Sequence, residues 1–150
     1  MEELKGAGES KQFIVIKLGE EQYGIDIKYI ENIVRMQHIT RVPKVDTYLK
    51  GVINLRGEVI PVMSLRIKMG LAPDVETKSS RIIILKLGMN GQIGVIVDEV
   101  KEVVALESDQ IEKIAYDSKE EKDSFLYGVG KCEGGLISLL DLNSVVLENM

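Results

Sequence analysis

The residues that could carry out chemistry in this sequence are few and far apart. A histidine base or ligand could come only from His38, and a thiol nucleophile only from Cys132. His38 lies among apolar and β-branched residues without catalytic partners close by, which is typical of a structural or surface histidine. Cys132 occupies a position that aligns with Leu55 earlier in the chain, which favours a small apolar strand residue over a reactive thiol. A lone cysteine also excludes an internal disulfide and a cysteine-based zinc site.

Carboxylates and glycine loops give no stronger indication of catalysis. Asp98 and Glu99 are adjacent, so in a strand they point to opposite faces and cannot share a proton-transfer task. The run GVGKCEG at 128–134 resembles a phosphate loop but lacks its spacing. No hydrolase, zinc-protease or calcium-loop motif occurs. We therefore predict no enzymatic activity, no metal site and no cofactor.

Composition describes a globular chain of 150 residues, 45% hydrophobic and 29% charged, with a net charge of −5. Residues 1–75 carry 11 basic and 10 acidic side chains, whereas residues 76–150 carry 8 and 14. The acidic second half argues against nucleic-acid binding, which depends on lysine and arginine clusters. No run approaches the roughly 20 apolar residues needed to cross a bilayer, and the first residues lack the features of a secretory signal. We expect a disordered leader over residues 1–11 and a cytoplasmic location.

The chain contains an internal repeat. Residues 51–65 (GVINLRGEVIPVMSL) align without a gap on residues 128–142 (GVGKCEGGLISLLDL). Upstream, residues 13–34 align on residues 82–104 with one extra residue in the loop. Two blocks in the same order predict one unit of about seventy residues written twice, with a first copy at 12–72 and a second at 80–142.

The pattern within each copy predicts an all-β fold. Short β-branched runs closed by glycine or charged turns indicate ten strands, at 12–18, 22–27, 38–42, 51–55, 57–62, 81–87, 92–97, 99–105, 126–131 and 134–140. Two sets of five strands favour two small closed barrels, because closure removes exposed edges. Short helical segments are predicted at 26–34, 64–71 and 108–115, with a C-terminal helix at 141–150.

The difference between the copies indicates where function lies. The first copy has Arg56 before the hairpin glycine, and the second has Glu133 there. An arginine on a tight turn, flanked by apolar Val52, Ile53 and Leu55, suits a protein interface. A plain solvent-facing turn charge remains the alternative.

Several motifs together resemble a known family. The runs KQFIVIKLGEEQYGIDI, ITRVP, KGVINLRGEVIPVMSLR, GVIVDEV and LLDL, spread over residues 11–148, resemble the CheW family of bacterial chemotaxis coupling proteins. The resemblance implies a CheW-like domain at 12–150 made of two intertwined five-stranded SH3-like β-barrels. It implies a non-catalytic adaptor in receptor arrays, linking the cytoplasmic tip of methyl-accepting chemoreceptors to the regulatory domain of the histidine kinase CheA. Alternatives are a CheV-type or kinase-derived coupling domain acting alone, or a small-ligand or nucleic-acid-binding barrel.

The resemblance also implies a receptor-facing surface around a groove between the lobes, and a kinase-facing surface on the second barrel. Its receptor-binding residues are Ile30, Asn32, Gly51, Arg56, Gly94 and Val103. Family members often carry an acid at the position of Asn32, so an acidic role there would be met by a neutral donor or pass to Glu31. Gly51 and Gly94 recur in the repeat as Gly128 and Gly24, which leaves a backbone-geometry role open for both.

Overall fold

A computed structural model of the protein describes residues 10–88, 91–113 and 125–147. It is mostly β, as the sequence predicts. Its strands are β1 (Ser10–Leu18), β2 (Glu21–Asp26), β3 (Ile30–Arg35), β4 (Leu49–Leu55), β5 (Glu58–Ser64), β6 (Arg81–Lys86), β7 (Gln92–Val97), β8 (Glu99–Glu107), β9 (Ile111–Lys113), β10 (Leu126–Cys132) and β11 (Gly135–Leu140). Helical segments are short: α1 (Leu65–Lys68), 3₁₀ turns at Ile27–Tyr29 and Ser108–Gln110, and a π-helical segment at Asn143–Leu147.

The strands form two sheets. One has six strands in the order β8-β1-β2-β11-β10-β9, and the other has five in the order β3-β6-β7-β5-β4. In each sheet a hairpin from one copy pairs in parallel with a hairpin from the other copy. Tyr23 of β2 lies opposite Ser138 of β11, and Gly94 of β7 lies opposite Val62 of β5. The copies therefore exchange segments.

Two compact units follow from this exchange. Unit 1 consists of Met1–Lys28 and Lys101–Met150, and unit 2 consists of Tyr29–Val100. These bounds differ from the predicted barrel copies at 12–72 and 80–142, because the open edge of each first hairpin is completed by the second hairpin of the other copy. Charge also divides by unit: unit 2 has ten basic and seven acidic residues, and unit 1 has nine and seventeen.

Each unit has its own apolar cluster. In unit 2 the cluster is formed by alternate residues of β4 to β7, which point to one face of the sheet: Ile53, Ile60, Val62, Ile82, Ile84 and Ile96. In unit 1 it is formed by Phe13, Val15, Leu106, Ile137 and Leu139. Alternate residues of these strands thus supply one packed face in each unit.

The helical predictions are only partly correct. Over 26–34 a 3₁₀ turn passes into β3, because pairing with β6 overrides the helical spacing of the apolar residues. The predicted helix at 64–71 is confirmed as α1, whose N-cap Ser64 accepts a hydrogen bond from Ile67 N–H. The segment at 108–115 is a 3₁₀ turn followed by β9, and its last two residues lie outside the described part of the chain.

Other predictions meet the limits of the described residues. The C-terminal helix at 141–150 is represented by the π-helical segment, and residues 148–150 are not described. The strand predicted at 38–42 is reduced to one bridge between Thr40 and Val52. Of the predicted leader at 1–11, residues 10 and 11 begin β1, and residues 1–9 lie outside the described part. Within the described ranges, no helix has the length and apolar character needed to span a membrane.

Candidate functional site

The turn between β4 and β5 holds the side chain that the sequence singled out. Leu55 pairs with Glu58, so Arg56 and Gly57 form a two-residue hairpin loop. Both have positive φ, 54° for Arg56 and 85° for Gly57, which is the signature of a type I′ turn. Asn54 Oδ1 accepts a hydrogen bond of 3.2 Å from Gly57 N–H and holds the loop closed. A left-handed arginine is strained, so the turn fixes Arg56 at some cost.

The surface around this turn is exposed and partly apolar. We call it the hairpin tip and define it by Asn54, Arg56 and Val59. Asn54 and Val59 are cross-strand partners on the face opposite the unit 2 cluster, and Val59 is 66% exposed. No other described residue makes a hydrogen bond or ion pair with the exposed Arg56 guanidinium. A free planar cation beside an exposed apolar side chain is suited to a protein partner.

The second copy builds its corresponding turn differently. Cys132 pairs with Gly135, which leaves Glu133 and Gly134 as the loop. Among the described non-glycine residues, Lys44 and Arg56 are those with positive φ, so Glu133 is not held in the left-handed region. Leu136, the counterpart of Val59, is 62% exposed. The two turns therefore share an exposed apolar residue close by. They differ in the charge of the first loop residue and in its backbone conformation.

Three of the predicted site residues lie in one row across the unit 2 sheet. Asn32 pairs with Ile84, Ile84 with Gly94, Gly94 with Val62, and Val62 with Gly51. Paired residues share a face, so this row points toward the apolar cluster. Sequence spacing alone could not have placed these residues together.

Packing explains both glycines of this row. A Cβ at Gly94 would lie 2.8 Å from Ile82 Cγ2. Gly51 has a φ of 146°, and a Cβ there would collide with the Thr40 carbonyl. In unit 1, a Cβ at Gly24 would lie 2.8 Å from Leu139 Cδ2, and a Cβ at Gly128 2.9 Å from the Glu112 carbonyl oxygen. The same close approaches recur, which supports the backbone-geometry role for Gly51 and Gly94.

A bulge separates the two predicted residues on β3. Ile30 pairs with Leu85 and Asn32 with Ile84, so Glu31 is the extra residue. The bulge turns Ile30 and Asn32 to opposite faces of the sheet. Asn32 Oδ1 accepts a hydrogen bond of 2.8 Å from Ile33 N–H, and Glu31 accepts one from Gln92 Nε2. Both polar side chains are thus engaged within unit 2.

The sixth predicted residue lies in the other unit. Val103 is on β8 and 55% exposed, whereas the other five belong to unit 2. An exposed valine on an edge strand is available for contact.

An ion pair absent from the predictions organises unit 2. Arg66 Nε donates to Asp98 Oδ1 at 2.9 Å, Nη2 donates to Oδ2, and Nη1 donates to the Ala72 carbonyl oxygen at 3.1 Å. This hydrogen bonding to Asp98 raises the pKa of Arg66 above its usual value. Comparison of the copies could have indicated this pair. Arg66 and Asp98 align with Asn143 and Lys28, which cannot form it, so the two charges are particular to unit 2.

The residues considered for catalysis do not converge. His38 is exposed, and Cys132 is half-buried against the unit 1 cluster. Within residues 10–88, 91–113 and 125–147, no three histidine, cysteine or carboxylate side chains are grouped as a metal site. The exposed side chains of the hairpin tip are those of a contact surface.

Comparison with known proteins supports this interpretation. The family model described as CheW-like domain matches residues 12–149. The chain belongs to the CheW-like family. The chemotaxis protein CheW of Helicobacter pylori is 33% identical over 139 residues, covering 92% of this chain and 82% of that protein. CheW of Thermotoga maritima is 31% identical over 148 residues, covering 99% and 95%.

A solved structure of the same family has the same fold. The scaffolding protein TtCheW from Thermoanaerobacter tengcongensis superposes with a TM-score of 0.84 at 32% identity, covering 94% of this chain and 95% of that one. The CheW-like family accounts for the mostly β, two-sheet architecture.

Proposed function

We propose that the protein is a non-catalytic chemotaxis adaptor that couples the cytoplasmic tip of chemoreceptors to the histidine kinase CheA. The relatives are named chemotaxis proteins, and the structural neighbour is named a scaffolding protein. One observation carries the receptor contact: Arg56 is held by a strained turn, exposed and unpaired among the described residues, next to exposed Val59.

The predicted site residues take different parts in this proposal. Arg56 contacts the receptor directly, through its charge and its planar hydrogen-bonding fork. Gly51 and Gly94 act from within the sheet, by allowing close packing around β4, β5 and β7, and Asn32 lies in the same row on β3. Ile30 and Val103 offer apolar contact area. We assign the kinase contact to the second copy, whose hairpin β10–β11 lies in unit 1.

The test is a reconstitution of receptor tip, CheA and this protein, scored as receptor binding and kinase activity. Arg56→Asn keeps a residue that tolerates the left-handed turn while removing the charge, and Arg56→Ala removes both. We expect both variants to weaken receptor binding by about fivefold to tenfold, the effect of one interface arginine contributing roughly 1 kcal/mol. Kinase binding should be unchanged.

The matched control is Lys78→Asn, which removes an exposed charge from a loop of the same unit. Its receptor binding should equal that of the unaltered chain. Unchanged receptor binding and unchanged kinase control in Arg56→Asn would exclude Arg56 as a contact. Loss in Arg56→Ala alone would assign the effect to the turn and not to the charge.

A further inference from the structure

The apolar cluster of unit 1 opens at one end into a pocket. Its volume is about 200 Å³, and its lining comes from the first residues of β1, the end of β8, the 3₁₀ turn at Ser108–Gln110, β9 and β10. Leu106 forms the buried floor, and half-buried Ile111 and Tyr127 form the walls; all three belong to the cluster or pack against it. Since a cavity of roughly 150 Å³ holds a benzene ring, this pocket has room for one large apolar side chain.

The mouth of the pocket is positively charged. Lys11 and Lys113 both line it and are exposed, and Lys11 Nζ lies 5.9 Å from the centre of the Tyr127 ring. Neither lysine forms an ion pair with another described residue. Unit 1 carries nine basic and seventeen acidic residues, so its net charge is negative. The two unpaired lysines at the apolar opening are opposite in sign to this net charge.

The repeat indicates that these residues are not required by the fold. The position of Tyr127 is occupied by Lys50 in the first copy, and that of Lys11 by Ser80 in the second. Unit 2 thus folds with different side chains at the corresponding positions. The aromatic wall and the flanking lysine are particular to unit 1.

We propose that this pocket is a docking site for a partner-protein segment that presents one apolar side chain next to a carboxylate. The apolar side chain covers Leu106, Ile111 and Tyr127, and the carboxylate lies at Lys11 and Lys113. A Phe or Leu flanked by Asp or Glu has this chemistry. The proposal concerns unit 1 and does not depend on the hairpin tip of unit 2.

The test is an amide NMR titration of the full chain with three short peptides: acetyl-Glu-Phe-Glu-amide, acetyl-Lys-Phe-Lys-amide and acetyl-Glu-Gly-Glu-amide. We expect the first peptide to shift the amides of Leu106, Ser108, Ile111, Lys113 and Tyr127. The other two should bind at least about threefold more weakly, because the second peptide lacks the carboxylates and the third lacks the apolar side chain. Equal shifts with all three peptides, or shifts confined to other residues, would overturn the proposal.

Two variants separate charge from shape. Lys113→Glu should weaken the acidic phenylalanine peptide by roughly twofold to fivefold and strengthen the basic one, the usual range for an exposed ion pair. Ser108→Phe, at an exposed position of the lining, should fill the pocket and abolish binding of the acidic peptide while the rest of the spectrum is retained. The matched control is Lys131→Glu, an exposed charge of the same unit outside the lining.

Two further outcomes would contradict the partner assignment. Unchanged peptide affinity in Lys113→Glu would show that the charge of Lys113 does not contribute to peptide binding. Shifts of the same five amides on raising the protein concentration without peptide would identify the occupant as a second copy of this chain.

Discussion

The Arg66–Asp98 pair is the side-chain contact with the clearest consequence for stability. It joins α1 to the end of β7, two elements 32 residues apart in sequence, by two parallel hydrogen bonds. Its side chains are 17% and 25% exposed, so solvent screens the pair only in part. The third bond, to the Ala72 carbonyl, ties the start of the loop between the copies to α1.

We expect Asp98→Asn to lower the free energy of unfolding by about 1–3 kcal/mol, because it removes one charge from a partly buried, doubly hydrogen-bonded pair. Urea denaturation of the full chain measures this. Arg66→Lys should lose a similar amount, since an ammonium group cannot form the two parallel bonds. Asp109→Asn, at an exposed position, is the control. Equal unfolding midpoints for Asp98→Asn and Asp109→Asn would show that the pair contributes nothing measurable.

At the same scale, comparison of the two copies predicted Arg56 but not Arg66. Both positions differ in charge between the copies, since Arg56 aligns with Glu133 and Arg66 with Asn143. Arg56 precedes a turn glycine, so its exposure followed from local pattern. Arg66 depends on a residue in another strand, and long-range pairing is not encoded in spacing.

At the scale of the strands, the row that contains Gly51 and Gly94 distinguishes a packing role of these residues from direct contact with a partner. Gly51 combines a positive φ with a collision at the Thr40 backbone, whereas Gly94 would meet only side chains. We expect Gly51→Ala to destabilise the fold by about 3 kcal/mol or more, and Gly94→Ala by about 1–3 kcal/mol, as for overpacked cores. Urea denaturation of each variant gives these values.

The control for both is Gly134→Ala. Nothing lies within 4 Å of a Cβ at Gly134, and its φ lies outside the left-handed region. Its stability should be unchanged or slightly higher, because alanine restricts the unfolded chain. Loss of receptor binding in Gly94→Ala at an unchanged free energy of unfolding would indicate a direct contact in place of the packing role.

Local pattern predicted most strands because short β-branched runs bounded by glycine or charged turns are typical of strands. The valines of the segment that forms β8 favoured a strand over a helix there. The helix expected at 26–34 failed because apolar residues at 27, 30, 33 and 34 fit one helix face as well as a bulged strand. The bulge at Glu31 depends on the register with β6, which local spacing does not specify.

The whole molecule differs from the simplest picture of a duplicated chain, in which each copy folds alone. Unit 2 is one continuous segment, Tyr29–Val100, and unit 1 is made of two segments. The repeat predicted two related lobes, and the family resemblance implied that they are intertwined, but spacing alone does not specify which hairpins combine. The parallel pairings between β2 and β11 and between β5 and β7 decide this.

This organisation gives a test with fragments. We expect a fragment of residues 29–100 to show the dispersed amide NMR spectrum of a folded protein, because it contains all five strands of its sheet. A fragment of residues 1–76 should not, because it separates β1 and β2 from β11 and β5 from β7. Mixing 1–76 with 77–150 should restore dispersion. A folded spectrum for 1–76 alone would contradict the exchange of segments.

The parallel pairing of Tyr23 with Ser138 has a consequence for the order of events during synthesis. The ribosome synthesises β1 and β2 before unit 2, whereas it synthesises their partner strand β11 after unit 2. Unit 2 can therefore complete its sheet before β11 is synthesised, whereas the first hairpin keeps one edge open until then. We therefore expect the pairing of β2 with β11, which closes a loop that contains all of unit 2, to be a late and slow step in the folding of this protein.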